Sequence, residues 1–195
     1  MTDYDTWSEL GLIAITQVGG SDIQFGTLTE TIDLDMGEKD FDTIVTVAGG
    51  RLIKFTPETE TTITLELYPL EAGTDTGTTG KGVYDLLQST DASQPVTITS
   101  TTSRTKIRLA VLWTDDPNMT DATAAPAGSH KAVRFVGADG YITSAKANFT
   151  GVLKWTITAK FPPFDKDGNA NVKWESTDGT ASLTALASYT STTKW

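Results

Sequence analysis

From residue 62 to residue 68 polar and apolar side chains alternate without a break, Ile63, Leu65 and Leu67 against Thr62, Thr64, Glu66 and Tyr68, and Pro69 ends the run. Alternation at period two places successive side chains on opposite faces of a β-strand, whereas a helix would scatter the same residues around its circumference. The pattern recurs along the chain. Residues 23–28 and 31–35 alternate on either side of a kink, and residues 41–47 run β-branched into Ala48-Gly49-Gly50. Residues 51–56 resume at once, so the pair predicts a β-hairpin.

Further strands are expected over 95–100, over 106–114 with Ile107, Leu109, Val111 and Trp113 on one face, and over 152–161, which Pro162-Pro163 terminates. Residues 132–136 and 141–147 read as a second hairpin around Ala138-Asp139-Gly140, a turn-forming triplet. Only residues 82–89, with Val83, Leu86 and Leu87 at helical spacing, predict a short α-helix. The expectation is a mainly β fold of sandwich or barrel type, one domain over 1–195. One helix flanks it, and residues 1–11 and 165–195 form extended arms that need a surface to settle on. Trp174, Leu183, Leu186, Tyr189 and Trp195 are the anchors such an arm offers.

Several function classes are disfavoured by composition. Cysteine is absent, which removes disulfides, thiol nucleophiles and thiolate metal sites, and the single histidine, His130, reads as a loop residue beside Gly128 and Ser129. The acidic start is unlike a secretory signal, so an intracellular origin and no membrane association are expected. A net charge of −10 argues against tight nucleic-acid binding, which needs clustered Lys and Arg. That charge is unevenly spread: residues 1–97 carry 17 acidic and 4 basic side chains, residues 98–195 carry 8 and 11. Unlike halves of this kind suit a chain that packs head to tail against copies of itself.

Candidate chemical motifs resolve into turns. Residues 72–82 read as a Gly/Thr loop, and its 77–82 segment, Gly-Thr-Thr-Gly-Lys-Gly, has Asp75 where a phosphate loop needs glycine and Gly82 where it needs a hydroxyl. In 165–171, Asp-Lys-Asp-Gly-Asn-Ala-Asn, the glycine is misplaced for a calcium loop and a turn on Asp167-Gly168 is expected instead. Asp115-Asp116-Pro117 is an adjacent acid pair with no distant partner, and residues 115–130 form a loop longer than a connection requires. No cofactor, metal or catalytic residue is expected.

Three segments, in order, resemble the tail tube (major tail) proteins of long-tailed phages and their archaeal counterparts. The first is Gly49-Gly50-Arg51 through Pro57-Glu58 to the strand ending Tyr68-Pro69-Leu70; the second is 131–135 and 141–150 with the strand 153–161; the third is 163–171. Loop 115–130 and the end after Trp174 have no counterpart.

The resemblance implies a β-sandwich or barrel-like domain with one flanking helix. Six copies would form a ring whose inner strands join, and rings would stack into a tube through which DNA leaves the capsid as transient cargo. It further implies partners among the tail terminator, tape measure and baseplate or tip proteins, and a place in a virion tail assembled in the host cytoplasm. An acidic lumen would let a polyanion slide, and Asp33, Asp35, Asp42 and Glu66 are the expected lining. Trp7, Asp75, Lys81, Asp115, Asp116 and Trp195, on the arms and the two long loops, are the expected contacts between subunits or rings. The competing expectation is a non-polymerising virion adaptor, tail-tip or surface-adhesion module.

Overall fold

The computed structural model describes residues 10–26, 32–55, 57–69, 105–148 and 154–195. The strands are β1 (Leu10–Gln17), β2 (Asp22–Gly26), β3 (Ile32–Asp35), β4 (Phe41–Val45), β5 (Arg51–Phe55), β6 (Thr61–Pro69), β7 (Ile107–Thr114), β8 (Ala132–Asn148), β9 (Lys154–Phe161) and β10 (Val172–Thr177). Among the described residues there is no helix. The helix expected at 82–89, the strand at 95–100 and the loop at 72–82 lie outside them.

Six strands close a barrel in the order β1-β2-β6-β9-β8-β7, every pairing antiparallel. β3 lies beside β6 and β10 beside β8, while β4 and β5 form a separate two-stranded ribbon. Closure removes the unpaired edges an open sheet would present. The interior is a single apolar cluster that includes Ile13, Ile15, Phe25, Ile63, Leu65, Leu67, Phe135, Ile157 and Phe161. The alternation read in 62–68 is therefore the inside–outside alternation of β6, and Trp155, Ile157 and Ala159 do the same for β9.

Two strands differ from the sequence reading. β1 reads Leu-Gly-Leu-Ile-Ala-Ile-Thr-Gln, which is not alternating. Its Ile13 and Ile15 enter the barrel core, and its Leu12 and Ala14 join a second apolar cluster on the outer face. A strand buried on both faces shows an apolar run rather than a period of two, and gives no β-specific signal.

The hairpin expected at 132–147 is instead one long strand, β8. Its first part pairs β7 and β10, and its second part pairs β9. Ala138-Asp139-Gly140 is the corner where the strand bends. Asp139 has φ 55°, and the ring of Phe161 lies so close over Gly140 that any Cβ there would overlap it. The glycines serve a close approach at a barrel corner rather than a chain reversal.

The second apolar cluster covers the outer face of β1, β7 and β8. Leu12, Ala14, Ala110, Leu112, Ala132 and Val136 meet Ala122 from the 115–130 loop and Leu183 from the C-terminal segment. Met119, Leu186 and Trp195 complete it. The segment expected to settle on some other surface thus lies on the chain's own barrel as an irregular strap.

Candidate functional site

One face of the sheet β3-β6-β9-β8 is polar and faces away from the core. Register aligns Asp35, Thr62, Lys160 and Tyr141 in one row, and Asp33, Thr64, Thr158 and Ser144 in the next. Glu66, Thr156 and Lys146 form a third. Down the middle, the hydroxyls of Thr64 and Thr158 share a hydrogen bond of 3.2 Å. Lys154 donates to Glu66 at 2.9 Å, and this bond holds the ammonium pKa above its ordinary value. Lys160 pairs with Glu60.

Three of the residues expected to line a lumen, Asp33, Asp35 and Glu66, share this face. The fourth, Asp42, stands on the β4–β5 ribbon opposite Lys54. Lys146, Lys154 and Lys160 share the polar face with the acids, so it is mixed in charge and rich in hydroxyls. The lysines were not counted in the sequence reading because register alone brings them beside β3 and β6.

At its two ends this sheet is open among the described residues. β3 has β6 on one side and no strand on the other; residues 141–147 of β8 have β9 on one side and no strand on the other. Four strands alternate in direction across it, so the two edge strands run opposite ways.

The β4–β5 ribbon is a different kind of surface. Every residue of both strands is exposed. Phe41 and Phe55 pair edge to face at 6.4 Å, with Ile53 and Val45 on the same side. Ile44 and Leu52 face the other way, and Val47 at the tip is fully exposed. The base is held by bonds between Glu38 and Thr59. A ribbon with one face mostly apolar, two further apolar side chains on the other and neither face covered by the described residues is a large unpartnered patch.

The remaining expected contact residues are placed as follows. Trp7, Asp75 and Lys81 lie outside the described residues. Asp115 and Asp116 hold the long loop to itself. Asp115 accepts from the Lys131 amide at 2.8 Å and from His130 Nδ1 at 3.1 Å, and Asp116, 5% exposed, accepts from the amides of Asn118 and Ala127. The Asn118 amide is the main reason that the Asp116 carboxyl sits below the usual range. Trp195 packs on the outer cluster beneath Lys173 and Lys194.

Of the groups that fasten the strap, sequence reasoning finds Tyr189 and misses Arg134 and Arg108. Arg134, fully buried, donates to the carbonyls of Thr123, Ala124 and Thr184 and pairs with Glu175. Arg108, 1% exposed, donates to the Ala187 carbonyl at 2.5 Å and pairs with Asp22 at 2.9 Å. Tyr189 donates to Asp139 at 2.8 Å, tying the strap to the β8 corner. The only signal of the two arginines in the sequence is a charged residue on a strand whose neighbours are apolar.

The turn expected on Asp167-Gly168 is present. Asp165 accepts from the amides of Asp167 and Asn169, both at 2.8 Å, and Gly168 takes φ 80°. Lys194 Nζ lies 2.7 Å from Asp165 Oδ2 and 2.6 Å from Asn171 Oδ1, closing the end of the strap. Lys194, with the Asn169 amide next in weight, holds the Asp165 carboxyl well below the usual carboxylate range. A carboxyl with a depressed folded pKa stabilises fully above its unfolded pKa of about 4, and the contribution fades as pH falls through the folded value. At pH 7, Asp165→Asn is therefore expected to speed amide exchange over 187–195, and the wild type to match it only in strong acid. Equal exchange in the two proteins at pH 7 would show that the pair does not tether the strap.

No family model and no curated protein sequence matches the chain. Similar solved structures include a sheath–tube complex of an extracellular contractile injection system (PVC) in its extended state, at 12% identity and a TM-score of 0.43, covering 90% of this chain and 95% of that one. The sheath/tube terminator of the same system gives 12% and 0.43, covering 90% and 99%. An Hcp protein gives 10% and 0.41, covering 90% and 96%.

Proposed function

We propose that the chain is a structural subunit of a tail tube: copies join into hexameric rings, and rings stack into a tube that serves as a conduit for the genome. The observation that carries this reading is the β4–β5 ribbon. Phe41, Leu52, Ile53 and Phe55 are each more than half exposed, on a two-stranded unit that the barrel does not cover. Isolated hairpins are marginal in water, and burying such side chains contributes about 1.5–3 kcal/mol apiece. A surface of this kind gains most by docking on another protein, and in a tube that protein is a further copy.

The open ends of the β3-β6-β9-β8 sheet support ring formation. Edge strands of opposite direction let one rotation, repeated, extend the sheet antiparallel from copy to copy. In that arrangement the polar face lines the lumen, with Asp33, Asp35 and Glu66 among its residues. The proposed lining is hydroxyl-rich and internally charge-paired, with acid beyond those pairs only on β3. A lining with little unpaired positive charge does not hold a polyanion, which suits DNA as transient cargo.

The outer face, covered by the strap and the 115–130 loop, is then available to other tail components, the terminator, tape measure and baseplate or tip among them. The protein's place is a virion tail assembled in the host cytoplasm, and its role is structural rather than catalytic. Negative-stain microscopy of the purified full-length protein tests the reading. Rings or filaments with an axial channel are expected, and a species that stays monomeric at every concentration and salt condition would replace the tube with the adaptor reading.

A further inference from the structure

Charges on the polar face of the β3-β6-β9-β8 sheet are paired in its middle and unpaired at its ends. Glu66 is matched by Lys154 and Glu60 by Lys160. Asp33 on β3 and Lys146 on β8 are both exposed, and neither has an ion-pair partner among the described residues. Asp35, also exposed, uses one oxygen to accept from the Gly37 amide at 2.9 Å and leaves the other free of any partner among them. The acids left over thus stand on one open edge and the base left over on the opposite open edge, all on the same face.

We infer that these two edges form a charge-coded joint between copies, with Asp33 and Asp35 of one subunit set against Lys146 of the next. The inference rests on the ring reading above and deepens it by naming the residues that select the neighbour. A second copy is the fitting occupant for two reasons. Both halves of the joint belong to one chain, so every copy offers the acidic edge to one neighbour and the basic edge to the other. The strand directions also let the same operation be repeated until it closes.

The charges would set register as well as partner. A slip of two residues, the smallest that keeps the polar faces continuous, would carry Asp33 and Asp35 about 7 Å along the edge relative to Lys146. Pairing β3 with β3, or β8 with β8, would bring like charges together, so the joint also selects against a two-fold dimer.

Full-length variants test this. Asp33→Lys/Asp35→Lys and, separately, Lys146→Asp are compared with wild type by sedimentation velocity and negative-stain microscopy at low and high salt. Each reversal is expected to raise the concentration needed for assembly at least roughly tenfold at low salt, since like charges then face across the joint. Salt should narrow the difference. The triple variant carrying both reversals in one chain should recover assembly, because opposite signs meet again.

Circular dichroism and melting establish that each variant folds; the neutral pair Asp33→Asn and Lys146→Gln, expected to weaken assembly less, stands in for any that does not. Wild-type rings with reversals that assemble equally well, or a triple variant no better than the single reversals, would overturn the joint and leave the tube standing. A wild type that never assembles would overturn both.

Discussion

Replacing Leu52 and Ile53 together by aspartate is expected to abolish tube formation at concentrations where the wild type assembles, with the barrel's melting temperature unchanged. The two residues stand on opposite faces of the β4–β5 ribbon, 59% and 60% exposed, so the double change disables whichever face docks. One buried leucine or isoleucine contributes about 1.5–3 kcal/mol, and each 1.4 kcal/mol is a factor of ten in affinity. Losing one such anchor and burying a charge in its place should raise the assembly concentration roughly a hundredfold or more.

The barrel should not register the change, because among the described strands β4 and β5 pair only with each other. Sedimentation velocity reads the first part and calorimetry the second. A variant that assembles normally would move the stacking surface off the ribbon. A variant with a lowered melting temperature would mean that the ribbon supports the barrel after all.

β4 and β5 are among the most legible strands in the sequence, and others are not, for a physical reason. The strands at β6, β9 and β4–β5 declared themselves because each has one face, or two, in water, so polarity records geometry. β1 hides because the strap and the long loop cover its outer face, and the same cover over β7, a strand the sequence does show, is equally unmarked. Ala14 shares its cluster with Ala122 and Leu183, more than a hundred positions away, and no local window contains that fact.

The corner at 138–140 misled for a different reason. Turn chemistry marks positions that need a left-handed or unhindered backbone, and a bend under Phe161 needs the same thing as a reversal. The lumen candidates divide along similar lines. Asp33, Asp35 and Glu66 share a face because their strands pair in register, which alternation foreshadows. Asp42 follows the same alternation, but its strand has left the sheet, and only topology records that.

Arg134 tests how much of the fold depends on what the sequence did not reveal. It sits on β8 between Ala132 and Val136 on the outward face, a position that would be solvent without the strap. Its guanidinium satisfies three carbonyls from two irregular segments, Thr123 and Ala124 from the loop and Thr184 from the strap, besides Glu175 on β10. Irregular backbone can be buried only if its polar groups find partners, and here one side chain supplies them.

Arg134→Ala is therefore expected to cost at least about 3 kcal/mol, since it leaves three carbonyls without a donor at about 1–3 kcal/mol each. Amide exchange should rise across 181–189 and 122–127 together. Glu175→Gln keeps an acceptor for the guanidinium but leaves the buried cation without its carboxylate, so it should cost about 1–3 kcal/mol, less than Arg134→Ala. Pairing the two changes separates the roles: if Arg134 acts as a cap for carbonyls, Arg134→Met/Glu175→Leu stays nearly as unstable as Arg134→Ala. Recovery of stability in that double variant would show instead that the ion pair was the whole cost. Arg134→Lys should recover little, because an ammonium cannot reach carbonyls on two separate segments with the fixed fork of a guanidinium.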